Sequence, residues 1–158
     1  MKLKYILRFF NIKEYKICKF FRPLLKKDNH MLLENFTILY VEDDPDTQRL
    51  IKKILESSAK EVYVASDGEE GLSLYKEKQP DIVLTDICMP KMDGLEMSAE
   101  IRAISRTQPI AIFTAFDEPD YLKRASELDI GTYLLKPFDR KQFFNALAYL
   151  AMLVKNQK

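Results

Sequence analysis

Five short apolar runs, each followed by a turn and a helically spaced stretch, set the strongest limit on how this chain folds. The runs are Thr37-Ile38-Leu39-Tyr40-Val41, Val62-Tyr63-Val64-Ala65, Asp81-Ile82-Val83-Leu84-Thr85, Ile110-Ala111-Ile112-Phe113-Thr114 and Gly131-Thr132-Tyr133-Leu134-Leu135. They are continuously apolar rather than alternating, as expected of strands buried on both faces. Strand followed by helix, five times over, implies a parallel sheet covered by helices on both sides, an α/β fold. No internal repeat and no Gly/Ser- or Pro-rich linker divides the pattern, so one domain is expected over residues 36–155, preceded by an extension over residues 1–35.

The turns carry readable helix signals. Asp44-Pro45 places a capping carboxylate before a proline at the first helical position, and Leu50, Ile51, Ile54 and Leu55 give that helix an inward stripe. A second helix carries Leu72 and Tyr75 and stops before Pro80. A third follows Asp93-Gly94 with Met97, Ile101 and Ile104 inward. Asp117 is expected to cap a fourth, which carries Tyr121, Leu122 and Ala125. Asp139 and Gln142 have capping-box spacing ahead of a last helix, whose inward face is Phe143, Ala146, Leu147, Leu150 and Val154.

Chemistry in an open parallel sheet gathers at the carboxyl ends of the strands. Here the first strand ends in Glu42 and Asp43, the third in Asp86, the fourth in Thr114 and the fifth in Lys136. An Asp at one strand end is usually a turn former, and a Lys-Pro is usually a plain turn. Their convergence on one edge is harder to dismiss. Three carboxylates gathered there would repel, by about 4 kcal/mol for two unit charges some 4 Å apart at an effective dielectric near 20. A cation among them relieves this, and hard oxygen donors suit Mg²⁺. The only histidine is His30, and Cys18 and Cys88 match no metal spacing. Histidine-based catalysis and histidine metal sites therefore lack their residues within the expected fold, and the cysteine usage fits a reduced, cytoplasmic setting.

From Thr37 to Val154 the chain resembles a response-regulator receiver domain of two-component signalling, of the single-domain, chemotaxis-regulator kind. The resemblance rests on Val41-Glu42-Asp43-Asp44, on Asp86-Ile87-Cys88-Met89-Pro90-Lys91-Met92-Asp93-Gly94, on Thr114-Ala115, and on Tyr133-Leu134-Leu135-Lys136-Pro137-Phe138. It implies a flavodoxin-like doubly wound sheet of five strands in the order 2-1-3-4-5 with five helices. The chemotaxis member is a familiar example of that order, so the order comes from the resemblance alone. Asp86 is then the phosphoacceptor, taking a phosphoryl group from a sensor histidine kinase. Mg²⁺ is held by Asp43 and Asp86 and by the backbone carbonyl of Cys88, with Glu42 acting mainly through water. Thr114 and Lys136 bind phosphoryl oxygens, and Thr114 and Tyr133 form the switch. The Lys136-Pro137 peptide is expected to be cis.

Such a protein is a phosphorylation-switched binding module and not a turnover enzyme. Its alternative role is a phosphorelay intermediate serving a histidine phosphotransfer protein. The downstream protein is left open, and phosphorylation-dependent dimerisation is one outcome the switch could have. A phosphatase of the haloacid-dehalogenase type would carry a second Asp where Cys88 stands. The pattern leads us to expect no DNA-binding output domain after the last helix. Cys88 and Phe116 depart from the best-known members, at positions that tune phosphoryl loss in the family.

The near-zero net charge hides an asymmetry. Residues 1–30 hold nine Lys/Arg against Glu14 and Asp28, which leaves 16 Lys/Arg against 22 Asp/Glu elsewhere. An acidic body is a poor non-specific nucleic-acid binder. The basic, aromatic-rich extension reads either as an unfolded segment ahead of Met31 or as an amphipathic helix for an anionic membrane or a partner. A nucleic-acid contact is the third reading. No run is long enough for a transmembrane helix.

Overall fold

The computed structural model describes residues 33–138 and 140–157. The expectations for the extension before Leu33, and for the Asp139 cap, lie outside the described residues. Five strands form one parallel sheet: β1 (Thr37–Val41), β2 (Glu61–Ala65), β3 (Ile82–Thr85), β4 (Ile110–Thr114) and β5 (Thr132–Leu135). Their order is β2-β1-β3-β4-β5, as the resemblance implied. Between and after them run α1 (Pro45–Glu56), α2 (Gly68–Lys78), α3 (Gly94–Ile104), α4 (Pro119–Glu127) and α5 (Arg140–Lys155).

The helices divide between the two faces. Ile51 and Leu55 of α1 join Phe143, Leu147 and Leu150 of α5 over Ile38, Tyr40, Leu84 and Phe113. On the other face Leu72 and Tyr75 of α2, Leu95, Met97 and Ile101 of α3 and Ala125 of α4 cover Leu39, Val41, Val83 and Ile112. Period-2 alternation along each strand feeds both layers, so nearly continuous apolar runs are required.

Three expectations fail locally, each for an identifiable reason. Leu50 is 60% exposed. It lies one residue, about 100° of helical rotation, from Ile51, and its one-turn neighbours Asp46 and Lys53 face solvent. Ile104 is 55% exposed; it is the last residue of α3, where Ser105 turns the chain to extended geometry. The cap of α4 is Glu118 and not Asp117, because Pro119 takes the first helical position and makes the residue before it the cap; Glu118 makes no side-chain capping bond.

The amino-terminal rim of the sheet is closed by polar locks. Thr37 donates its N–H and its hydroxyl to Asp81 at 2.9 and 3.0 Å, and Asp81 N–H returns a bond to Thr37 Oγ1 at 3.1 Å. Gln108 donates to the carbonyls of Pro80 and Asp81 and accepts from the Tyr75 hydroxyl. The opposite, carboxyl-terminal rim is left to the strand-end residues.

Candidate functional site

β1, β3 and β5 deliver Glu42, Asp86 and Lys136 to one point. The Lys136 ammonium donates to Asp86 Oδ2 at 2.6 Å and to Glu42 Oε2 at 2.5 Å. Asp86 Oδ1 accepts the Ile87 N–H at 2.5 Å. Glu42 is 2% exposed and Asp86 7%, so these charges meet where water screens them little. Burial raises the Glu42 pKa above its ordinary value, and the Asp86 charge adds to it; the hydrogen bonds from Lys136 and Tyr40 and the Lys136 charge oppose the rise without cancelling it. Burial also disfavours the Lys136 ammonium, but its bonds to Asp86 and Glu42 prevail and hold its pKa above the usual lysine value.

Lys136 is placed by its surroundings. Its N–H donates to Thr114 O at 2.8 Å. The Lys136-Pro137 peptide is cis, as expected. Phe138 then packs on Phe113 and Phe143, with ring centroids 5.3 and 5.5 Å away. The lysine thus leaves a strand tied to β4 and an aromatic anchor set in the core.

The loop after Asp86 doubles back on itself. Gly94 N–H donates to Ile87 O at 2.8 Å, and a Cβ on Gly94 would lie 1.8 Å from Asp86 O. Only glycine permits that approach. Lys91 takes a left-handed φ of 65° and pairs with Asp67, the cap of α2, at 2.5 Å. Gly68 N–H donates to Met92 O, again at a place where a Cβ would collide, 2.4 Å from that oxygen. On the other flank Arg124 of α4 reaches Asp93 at 3.3 Å.

The remaining expected residues lie around this centre. Asp43 is exposed beside Glu42 on the same rim. Cys88 is half-buried, with Sγ 3.6 Å from Tyr121 Oη. Thr114 is fully buried, and its Oγ1 accepts the Phe116 N–H at 3.3 Å. Tyr133 is buried as well, and its hydroxyl donates to Phe116 O at 2.6 Å. Burial, with the charges of Glu118 and Asp117, raises the Tyr133 pKa. Thr114 and Tyr133 are therefore joined through the backbone of Phe116. Its ring is 40% exposed and meets Tyr121 edge-on at 6.3 Å. The structure brings Glu42, Asp86 and Lys136 into direct contact; it links Thr114 with Tyr133 as a second group, and leaves Asp43 and Cys88 flanking.

The family model for the response regulator receiver domain matches residues 38–148. The chain belongs to that family. It is 31% identical over 111 residues to the chemotaxis protein CheY of Halobacterium salinarum, covering 70% of this chain and 92% of that one. The N-terminal domain of an uncharacterized protein from Wolinella succinogenes superposes with a TM-score of 0.72 at 35% identity, covering 78% of this chain and 99% of that one. A chain from the CheX-CheY-BeF3-Mg complex of Borrelia burgdorferi does so with a TM-score of 0.68 at 27% identity, covering 73% and 88%. Other relatives are longer, and the chain spans 45% of one and 26% of another. Membership in the receiver family supports a phosphorylation-activated switch of two-component signalling that works with histidine kinases or phosphotransfer partners.

Receiver domains generally bind Mg²⁺, so the residues present need to fit it. Among the described residues no three His, Cys, Asp or Glu side chains form a metal-binding group. The donor set still suits the ion: Glu42, Asp43 and Asp86 offer only hard carboxylate oxygens on one rim, and one ammonium, Lys136, offsets them. No helix among the described residues is long and apolar enough to cross a membrane.

Sequence reading missed two residues of this site. Gln48 of α1 donates its amide to Glu42 O and Ala65 O, both at 2.9 Å, and so fixes the backbone that bears the acidic pair. Tyr40 donates its hydroxyl to Glu42 Oε2 at 2.8 Å. The period-2 rule contained the Tyr40 signal, since residues 40 and 42 share a face of β1. Gln48 had none, because a glutamine on a helix is ordinarily solvated.

Proposed function

We propose that Asp86 accepts a phosphoryl group from a phosphohistidine on a sensor histidine kinase and that the acyl phosphate switches a protein-binding face. One observation carries this reading: the Lys136 ammonium bridges Asp86 and Glu42 at the carboxyl rim of a receiver-family sheet. An Asp86 carboxylate oxygen attacks phosphorus, the P–N bond breaks, and the histidine nitrogen leaves with the bonding pair and takes up a proton. Lys136 and the Thr114 hydroxyl then face the equatorial phosphoryl oxygens, where positioning and charge neutralisation supply most of the catalysis. Asp43, Asp86 and the Cys88 carbonyl are the proposed Mg²⁺ ligands, with Glu42 acting through water. When bound, the ion supplies neutralisation of the charge gathered by the acceptor and phosphoryl oxygens.

The modification brings roughly −1.5 to −2 charges to one point. Thr114 moves toward the new oxygens, and through Phe116 the shift reaches Tyr133 and α4. Tyr121, Lys123 and Arg124 of α4 are offered as the residues a partner reads, whether a downstream protein or a second copy of the chain. The protein is a switch and not a turnover enzyme, and it works in the cytoplasm, where the kinase presents its phosphohistidine. Transfer onward to a histidine phosphotransfer protein is the alternative fate of the acyl phosphate. Cys88 and Phe116 crowd the approach of water and lengthen the phosphorylated lifetime; an unchanged decay rate in Phe116→Glu and Cys88→Asn would remove that idea.

The test is incubation with Mg²⁺ and acetyl phosphate, followed by intact mass. Wild type gains one phosphoryl group and Asp86→Asn does not. No gain on wild type means that the chain is a receiver fold without the chemistry.

A further inference from the structure

We propose that Tyr40 is a positioning residue that keeps Glu42 in place when Lys136 turns from it to a phosphoryl group on Asp86. The inference rests on the phosphoacceptor reading and extends it to a residue in the middle of a core strand.

Glu42 Oε2 receives two donors, Tyr40 Oη at 2.8 Å and Lys136 Nζ at 2.5 Å. The two differ in freedom. Tyr40 is 0% exposed, in the middle of β1, packed with Ile38, Leu84 and Phe113 under α1 and α5. Its hydroxyl is held by the core. Lys136 sits at the rim on a flexible four-carbon stem, with its side chain 20% exposed, and it already divides itself between Glu42 and Asp86. A phosphoryl group on Asp86 offers that ammonium more negative charge than Glu42 does. Once it shifts, Glu42, itself 2% exposed, keeps of its two protein donors only the one that cannot move. A buried carboxylate left without any donor is costly. The Tyr40 hydroxyl therefore lowers the cost of releasing Lys136.

A purely structural tyrosine would fill the same volume and merely satisfy its own hydroxyl. Tyr40→Phe separates the two roles, because it removes a single oxygen and leaves the ring in the core. The probes are Mg²⁺ alone and Mg²⁺ with beryllofluoride, a phosphoryl mimic, each titrated into the full chain. In Tyr40→Phe, beryllofluoride binding weakens on the order of tenfold, the effect of losing one hydrogen bond to a charged group. Affinity for Mg²⁺ alone is unchanged, since Lys136 still holds Glu42 in that state. Equal beryllofluoride affinity in the two proteins overturns the role of Tyr40, and so does equal weakening for both probes.

The second measurement needs no ligand. Urea unfolding of wild type, Tyr40→Phe, Lys136→Met and the double variant forms a cycle. If the two donors substitute for each other, the double variant loses more than the sum of the single losses, by on the order of tenfold in the folding equilibrium. Additive losses sink the proposal even where beryllofluoride binding is weak in every variant. Wild type that takes up neither phosphoryl nor beryllofluoride removes the phosphoacceptor reading and this inference with it. Wild type that binds, with Tyr40→Phe indistinguishable from it, removes this inference alone.

Discussion

Helices α3 and α4 sit side by side on one sheet face, yet they are held very differently. α3 begins in a capping box, with Asp93 accepting the Glu96 N–H and Glu96 accepting the Asp93 N–H, and it buries Gly94, Leu95, Met97, Ser98 and Ile101. α4 has no side-chain cap and buries Ala125 alone. The remaining ties of α4 are polar or half-exposed: Tyr121 to Cys88, Arg124 to Asp93, and Arg102 of α3 to the carbonyls of Leu128 and Asp129 just beyond its end. The strand ends carrying Asp86 and Glu42 are thus backed by a well-capped, well-packed helix. The helix next to Thr114 and Tyr133 has fewer buried ties holding it to one packing. A switch needs both properties, since chemistry requires fixed groups and signalling requires an element with two close-lying packings.

Substitutions in each helix test this difference. Largest is Ile101→Ala on α3, with an expected loss of about 2–5 kcal/mol, against less than about 1 kcal/mol for half-buried Leu122→Ala on α4. Equal losses by urea unfolding would mean that α4 is packed as firmly as its neighbour. Gly94→Ala comes next, because its Cβ would meet Asp86 O. A cost of about 1–3 kcal/mol is expected, with slowed phosphorylation by acetyl phosphate as the acceptor backbone is pushed aside. Asp93→Ala removes the α3 cap and the Arg124 contact together, for about 1 kcal/mol in the same assay. Glu118→Ser supplies α4 with the cap it lacks; it should gain about 0.5 kcal/mol and weaken beryllofluoride binding slightly, since it favours the unmodified packing.

The smallest effect is a pH dependence at the loop clamp. The Asp67 pKa is lowered, first by the Glu70 N–H and then by Lys91. Folded Asp67 therefore binds a proton less readily than the unfolded chain does. Its contribution is complete above the unfolded value near 3.9, and is lost as pH falls through the folded one. The stability gap between wild type and Asp67→Asn should shrink as unfolding is moved from neutral pH toward pH 2. A constant gap would leave the Asp67 charge without a role.

The sequence revealed most where one local rule sufficed. Continuous apolar runs announced the parallel sheet, and Asp44-Pro45 and Asp93-Gly94 announced the starts of α1 and α3. It misled where two rules compete, as at Leu50, where an apolar residue next to the stripe was counted into it, and at Asp117, where Pro119 moves the cap by one. Of the site, Glu42, Asp86 and Lys136 were legible from their strand-end positions. That Lys136 would hold both carboxylates was not, because the packing of Phe138 on Phe113 and Phe143 that anchors its loop is tertiary. Tyr40 stayed hidden since an aromatic inside an apolar run reads as core, and Gln48 because its partners are carbonyls of two different strands.

The Thr37–Asp81 lock also settles how the domain can be attached to anything ahead of it. β1 starts at that lock and runs its five residues toward Glu42, a span of roughly 17 Å at the usual rise of a strand. The chain therefore enters at the pole of the domain away from Asp86. A segment or fusion partner placed before Leu33 is joined at that far pole and not at the acidic rim.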